Sequence, residues 1–380
     1  MRAALLRARR ALGRVRRFVH ASVASARDAF RHRAIARATK FSTAQPCVFY
    51  GYDRVPTLEE PVHGGMVKFQ ALQQALPNAP RDFNVLYLGS STVPRDAATL
   101  IELARRRAAP VVWNQNGVAY PGLYGERADE LNRPLRAGID AADHVVFQSE
   151  FCKLSSDRFL GSPRGSWEIL HNPVDTRRFT PRRRERESLV LLLGGNQYQR
   201  YRFEVALRTL ALVRNERADA RLLVSGAVSW QADRGLARRE AAELLARLRL
   251  ADHVELTGAY TQAEAPDVLR RGHVLLHTKY NDPCPTIVLE AMACGLPVAY
   301  SASGGTPELV GSEAGIGVPA PLDFEEEHPP APEDLARAVL EICARLDAYS
   351  EAARERVVRR FDLRPWIERH VTVFRELLGG

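Results

Sequence analysis

The sequence predicts an α/β protein of two doubly wound, parallel-sheet domains. Three observations carry this expectation. The chain has 380 residues, more than one ordinary core accommodates. Short β-rich runs alternate with segments at helical spacing from residue 45 onward, the pattern of parallel sheets with crossover helices. A turn-rich, highly charged stretch near Asn172–Glu187 divides that alternation into two halves.

The elements follow in order. In residues 1–40, eleven arginines, one lysine and one aspartate give a net +11, against +9 for the whole chain, so the remainder is slightly acidic. The basic character therefore belongs to a leader and not to the folded body. Leu5, Ala8, Leu12, Val15 and Val19 form one apolar helical stripe, with Arg7, Arg9, Arg10, Arg14, Arg16 and Arg17 opposite. Two readings stand: a basic helix lying on an anionic membrane surface, or a solvated basic arm. Only two phenylalanines, Phe18 and Phe30, stand among the arginines, fewer aromatic rings than nucleic-acid stacking would want. The leader also has features of a transit peptide. It lacks the continuous apolar core of a secretory signal.

Beyond the leader, strands are predicted at Val85–Leu88, Val111–Trp113, His144–Gln148, Leu189–Leu193, Leu222–Ser225, Val254–Leu256, Val274–His277 and Pro297–Ser301. Helical spacing covers Ala98–Arg107, Phe203–Val213, Leu236–Leu248 and Pro332–Leu346. No stretch approaches the roughly 18 apolar residues of a membrane span. Five cysteines, at 47, 152, 284, 294 and 343, show no paired metal-ligand spacing and, being odd in number, no disulfide framework. A cytoplasmic location fits best.

The segment from Asn281 to Val298 concentrates the chemistry. A strand ending near Lys279 meets the turn Asn281-Asp282-Pro283-Cys284-Pro285 and then a helix from about Thr286 to Cys294, closed by Gly295. First-turn N–H groups of such a helix face a partly positive dipole end and suit a phosphate. Glu290, one turn on, is placed to accept hydrogen bonds from ribose hydroxyls. Spacing alone leaves this level with a plain strand–helix connection in which Glu290 is solvated.

Asp282 and Glu290, separated by seven residues, resemble the acidic-x7-Glu signature of the retaining family 4 glycosyltransferases of the GT-B fold. Ser303-Gly304-Gly305-Thr306-Pro307-Glu308, the joint His171-Asn172-Pro173-Val174-Asp175 with Phe179 and Pro181, and His63-Gly64-Gly65 before Lys68 resemble other motifs of that family in the right order. The resemblance covers roughly residues 45 to 378. It implies two Rossmann-like domains facing a cleft: an acceptor-side domain at 43–175 after a leader at 1–42, a nucleotide-sugar domain at 176–362, and a closing helix at 363–380 that crosses back to the first domain.

It further implies transfer of a hexose-type sugar from a nucleotide diphosphate sugar to an acceptor hydroxyl, with retention and without a metal or cofactor. The acceptor would be a glycan, a lipid-linked or a small-molecule compound of the cell envelope. Glu290 would bind ribose and Asp282, shorter than the family's usual Glu, the donor sugar. Backbone amides around Cys284, Thr286 and Ile287 would hold sugar and diphosphate, and Gly64 and Gly65 would let the first domain approach the diphosphate. Where the family places Arg and Lys after Gly195, this chain has Asn196 and Tyr201. Either Arg200 or Arg202 is the expected substitute, against the alternative that both are surface residues. Asn116 and Tyr120, at the end of a strand, are the acceptor-side candidates. The missing pair also leaves room for a catalytically silent nucleotide-sugar-binding homologue, and the same fold serves nucleotide-sugar epimerases and hydrolases. An NAD(P) dehydrogenase is disfavoured, since no G-x-G-x-x-G follows the first strand with an acid ~20 residues later.

Overall fold

A computed structural model describes residues 28–29, 31–37, 45–182 and 187–379. The apolar stripe from Leu5 to Val19 lies outside these described residues. Residues 31–37 are helical and anchored: Ile35 is fully buried under the first sheet. Arg31 pairs with Asp96, His32 Nε2 lies 2.7 Å from the same carboxylate, and Arg107 donates to the Ile35 carbonyl at 2.8 Å.

The first sheet is wholly parallel and runs in sequence order: β1 (Val48–Phe49), β2 (Val85–Gly89), β3 (Val111–Gln115), β4 (His144–Phe147) and β5 (Ser166–Ile169). Between them come α1 (Gly64–Leu72), α2 (Ala97–Arg106), the short α3 (Pro121–Tyr124), α4 (Ala128–Ala141) and α5 (Glu150–Phe159). Strands buried on both faces read as continuous apolar runs, which is why Val85–Leu88 and Val111–Trp113 were legible. The edge strands β1 and β5 were not: one is two residues long and the other, Ser-Trp-Glu-Ile, is half exposed.

The second sheet, also parallel, contains β6 (Val190–Leu193), β7 (Arg221–Ser225), β8 (Val254–Gly258), β9 (Val274–His277), β10 (Val298–Ala302) and β11 (Gly315–Pro319). Its spatial order is β11-β10-β9-β6-β7-β8. The chain thus builds outward from β6 through β8, then returns to place β9 on the other side of β6. That reversal is a topological switch point, where the connections leaving two adjacent strands diverge and open a crevice. The helices are α6 (Arg200–Glu216), α7 (Arg234–Arg247), α8 (Ala265–Leu269), α9 (Thr286–Ala293), α10 (Thr306–Val310), α11 (Pro332–Ala344) and α12 (Leu346–Arg360). The single helix expected at Pro332–Leu346 stops at Ala344, and α12, unanticipated, follows at once. Gly295, at φ +75°, ends α9 in the left-handed conformation that glycine adopts without strain.

The last helix, α13 (Leu363–Leu377), starts on Asp362, whose side chain caps Arg364 N. It packs on the first sheet: Trp366, Val373 and Phe374 join Val48, Tyr87, Val112 and Val146 in one core. His370, buried on this helix, hydrogen-bonds the Tyr87 hydroxyl at 2.9 Å. Burial pushes its imidazole down to about 4 and so keeps it neutral. Among the described residues no helix is long and apolar enough to cross a membrane.

Candidate functional site

The switch point brings together two loops, one leaving β6 and one leaving β9. The first turns at Gly194-Gly195, with Gly195 at φ +78°. Gly194 must lack a side chain, because a Cβ there would lie 2.6 Å from Ile287 Cγ1 at the start of α9. The β6 turn and the α9 N-terminus are therefore in direct contact. The second loop, Thr278–Pro285, is fixed from below by the Ser303-Gly304-Gly305 motif. Asn281 N donates to Ser303 Oγ at 2.9 Å, and Gly305 N to the Asp282 carbonyl at 2.9 Å. A Cβ on Gly304 would strike the Asp282 backbone, and one on Gly305 the Pro283 carbonyl.

Asp282 is largely covered, between two basic groups. Its Oδ1 lies 3.2 Å from Lys279 Nζ and its Oδ2 3.2 Å from His277 Nε2. Burial alone would raise this carboxyl, but Lys279, His277 and Arg202 outweigh it and hold the group well below the usual carboxylate range. Burial likewise disfavours the Lys279 ammonium, yet Asp282 and Tyr198 keep it charged. Arg202, 3% exposed, donates from Nη1 to the Asn196 carbonyl at 3.0 Å. Its guanidinium and Lys279 Nζ each sit 5.4 Å from the centre of the Tyr198 ring. Arg202 Nε has no protein partner among the described residues. Arg200, at the first position of α6, is exposed. Of the two arginines considered from sequence, the structure places Arg202 at the switch point and Arg200 outside it.

Lys279 is the residue that sequence reasoning missed. It reads as the end of a strand, and the signal available was its position three residues before Asp282.

Glu290 is not solvated on its helix but buried, 4% exposed. It accepts a hydrogen bond from Gln262 Nε2 at 2.9 Å, and Gln262 Oε1 in turn accepts one from Arg178 Nη2 at 3.0 Å. Burial pushes its carboxyl up to about 7, against the opposing pull of Gln262 and Arg178. Thr286 and Ile287 open α9, where first-turn amides have no partner within the helix. Cys284 is buried beside them; desolvation raises its thiol well above the ordinary value, which leaves it inert as a nucleophile.

The facing wall belongs to the first domain. Asn116 directly follows β3; its N–H donates to Ser90 Oγ at 2.8 Å, while its buried Oδ1 has no protein partner among the described residues. Tyr120 is buried with its ring 5.5 Å from that of Phe324. Gly65 is obliged to be glycine by Ser91, whose Oγ would lie 2.5 Å from a Cβ, whereas Gly64 faces open space. Lys68, one turn into α1, is buried and donates to Asn114 Oδ1 at 2.6 Å. Burial pulls its ammonium down to about 8.

The two walls are tied together at several points. Ser149 Oγ donates to the Pro283 carbonyl at 2.7 Å. Glu308 accepts from the Glu150 and Phe151 amides at 2.8 and 3.0 Å, capping α5 from the other domain, and lies 3.0 Å from His171 Nε2. The connection from β11 to α11 crosses over as a strap: Gly122 N donates to the Phe324 carbonyl at 2.8 Å, and Gln199 holds Glu327 at 2.7 Å. Between the walls remains a cleft of about 520 Å³, with Ser90, Asn116 and Tyr120 on one side and Tyr198, Lys279 and Asn281 on the other. Among the described residues, no three His, Cys, Asp or Glu side chains are grouped as a metal site.

Two parallel α/β domains facing across a cleft, the second carrying the switch point, define the GT-B fold. Residues 187–345 match the family described as glycosyl transferases group 1. The chain is 29% identical over 184 residues to a D-inositol 3-phosphate glycosyltransferase of Streptomyces avermitilis, a match spanning 45% of this chain and 40% of that protein. It is 24% identical over 191 residues to the phosphatidylinositol N-acetylglucosaminyltransferase GPI3 subunit of Saccharomyces cerevisiae, over 48% and 41% of the two chains. The matches thus span about two fifths of these relatives' length. Among solved structures, sucrose-phosphate synthase from Thermosynechococcus elongatus superposes with a TM-score of 0.62 at 19% identity, covering 82% of this chain and 76% of that one. Anabaena HepE in complex with UDP and glucose gives 0.62 at 16% identity, covering 82% and 81%.

Proposed function

We propose that the chain is a glycosyltransferase that moves a hexose-type sugar from a nucleoside diphosphate donor to an acceptor hydroxyl, retaining the anomeric configuration and using no metal. The observation that carries this reading is the pairing of Lys279 and Arg202 at the switch point, immediately before the N-terminus of α9. Two fixed cations and a set of first-turn amides form a seat for a diphosphate whose negative charge grows as it leaves. The matched family and the relatives' names support the same class. Glu290, one turn further, accepts hydrogen bonds from the ribose hydroxyls, and Asp282 meets the hydroxyls of the donor sugar.

In the reaction the bond from the anomeric carbon to the diphosphate oxygen breaks. The acceptor oxygen then bonds on the same face, and its proton passes to an oxygen of the departing diphosphate. The protein supplies orientation and charge stabilisation and no nucleophile of its own. The basic leader at 1–40 suits peripheral attachment to an anionic membrane on its cytoplasmic face, where a lipid-linked acceptor is found. Proton NMR of the early product, with and without EDTA, tests the chemistry. Retention in both samples is expected; loss of activity in EDTA with rescue by Mg²⁺, or an inverted product, overturns it.

A further inference from the structure

We propose that the acceptor is an uncharged, hydroxyl-bearing compound with an apolar body, such as an alkyl or aryl glycoside, and not a phosphorylated one. This inference rests on the glycosyltransferase reading above and deepens it at the acceptor side of the same cleft.

The cleft wall contributed by the first domain carries no charge among its described lining residues. Val93, Val118, Leu131, Leu135, Tyr124 and Phe151 supply an aliphatic and aromatic surface, and the polar groups, from Ser90, Ser91, Asn116 and Ser155, are all neutral. Lys279 is the one charged residue lining the cleft among those described, and on the reading above its charge is taken up by the donor's diphosphate. A phosphate on the acceptor would lose its water and meet no cation among the described lining residues of the first domain, and an unpaired buried charge is strongly disfavoured. A hydroxyl meets the opposite situation. The buried Asn116 Oδ1 lacks a partner among the described residues and needs a donor, which a sugar hydroxyl has and a phosphate dianion does not. The half-exposed ring of Tyr124 and the adjoining leucines offer an alkyl or aromatic group a surface on which to bury itself. On this inference the chain differs in acceptor charge from the relatives whose names specify an inositol phosphate or a phosphatidylinositol.

The test uses the full chain and three probes: octyl β-D-glucopyranoside, glucose and glucose 6-phosphate, titrated calorimetrically with and without UDP or GDP. The octyl glucoside should bind at least tenfold more tightly than glucose, and glucose 6-phosphate should show no saturable binding. Equal or tighter binding of glucose 6-phosphate overturns the proposal, as does failure of the octyl glucoside to bind better than glucose. Leu131→Arg, which places a cation on the wall outside the main core, should weaken the octyl glucoside and create binding of glucose 6-phosphate; circular dichroism confirms that the variant is folded. Thermal shifts with the nucleoside diphosphates report separately on the underlying reading. A chain that ignores every nucleotide fails as a glycosyltransferase, whereas one that binds a nucleotide and prefers the phosphorylated probe fails only here.

Discussion

The two walls of the cleft are built on different physical terms. In the second domain the sheet reverses direction between β6 and β9, and the crevice so formed is filled with charge: Asp282, Lys279, His277 and Arg202 all converge within one buried network. In the first domain the described strands follow one another in order, without a reversal among them, and the described residues it lends to this cleft are uncharged and largely apolar. On the proposed function, the charged wall would hold the anionic donor and the other would offer contact area and a few hydroxyl partners. The difference teaches that charge gathers where the sheet reverses, while the other wall is a matter of side-chain surface, which can vary without disturbing the fold.

The comparison breaks most visibly if the charged wall is unnecessary. Lys279→Ala removes one of the two cations and also leaves Asp282 with a buried charge less well paired, so turnover should drop by roughly a hundredfold or more. Steady-state kcat, measured beside a thermal melt that confirms folding, decides this; a variant within threefold of the parent would remove Lys279 from the site. Glu290→Ala should act on donor affinity, not on acceptor affinity. The loss of a charged acceptor is worth ~1.5–3 kcal/mol, or roughly ten- to a hundredfold in Kd for the nucleotide, and an unchanged Kd would dissociate Glu290 from the ribose.

A smaller effect sharpens the contrast within the charged wall, between Asp282, held well below the usual carboxylate range, and Glu290, pushed up from it. The Glu290 carboxyl rises from its ordinary 4.5 to about 7 through burial. The folded chain therefore keeps a proton that the unfolded chain has released, and stability falls as pH rises from 4.5 to 7. Above that window the loss is complete and amounts to at most about 3 kcal/mol. Glu290→Gln should accordingly raise the melting temperature at pH 8 and leave it unchanged at pH 4. An equal shift at both values would show that the effect is not one of protonation. The smallest effect belongs to Arg200→Ala, since that side chain is exposed; kcat within twofold of the parent is expected, and a large loss would return Arg200 to the site.

Much of the fold was legible because central parallel strands are continuous apolar runs and because Gly295 and Pro297 punctuate the chain around α9. Spacing alone left the acidic pair Asp282 and Glu290 undecided, and the family resemblance singled it out; the Gly304-Gly305 motif was visible in the sequence, although its physical duty, to let the backbone of residues 282–283 pass without a Cβ in the way, required the structure. Lys279 and Lys68 were not singled out. Lys68 is buried against Asn114, far away in sequence, and Lys279 is largely covered beside Tyr198; apart from the nearness of Lys279 to Asp282, a lysine in a string carries no mark of such an environment. The strap at 320–331 escaped for a related reason. Its run of glutamates and prolines reads as a solvated loop, while one residue, Phe324, packs between Tyr120, Phe151 and Phe159 and ties the domains together. The neutral wall gave the weakest signal, since scattered serine, asparagine and leucine residues form a surface only after α3, α4 and the β3 turn have been brought together.

The account's central claim is that the switch-point cations seat a nucleoside diphosphate. Isothermal titration of the chain with UDP or GDP, the corresponding monophosphate and the nucleoside, repeated on Lys279→Ala, measures this directly. The parent should bind the better diphosphate at least tenfold more tightly than its monophosphate, and Lys279→Ala should erase most of that difference while leaving nucleoside affinity unchanged. Equal affinity for all three ligands, or a preference for the diphosphate that survives the loss of Lys279, would contradict it.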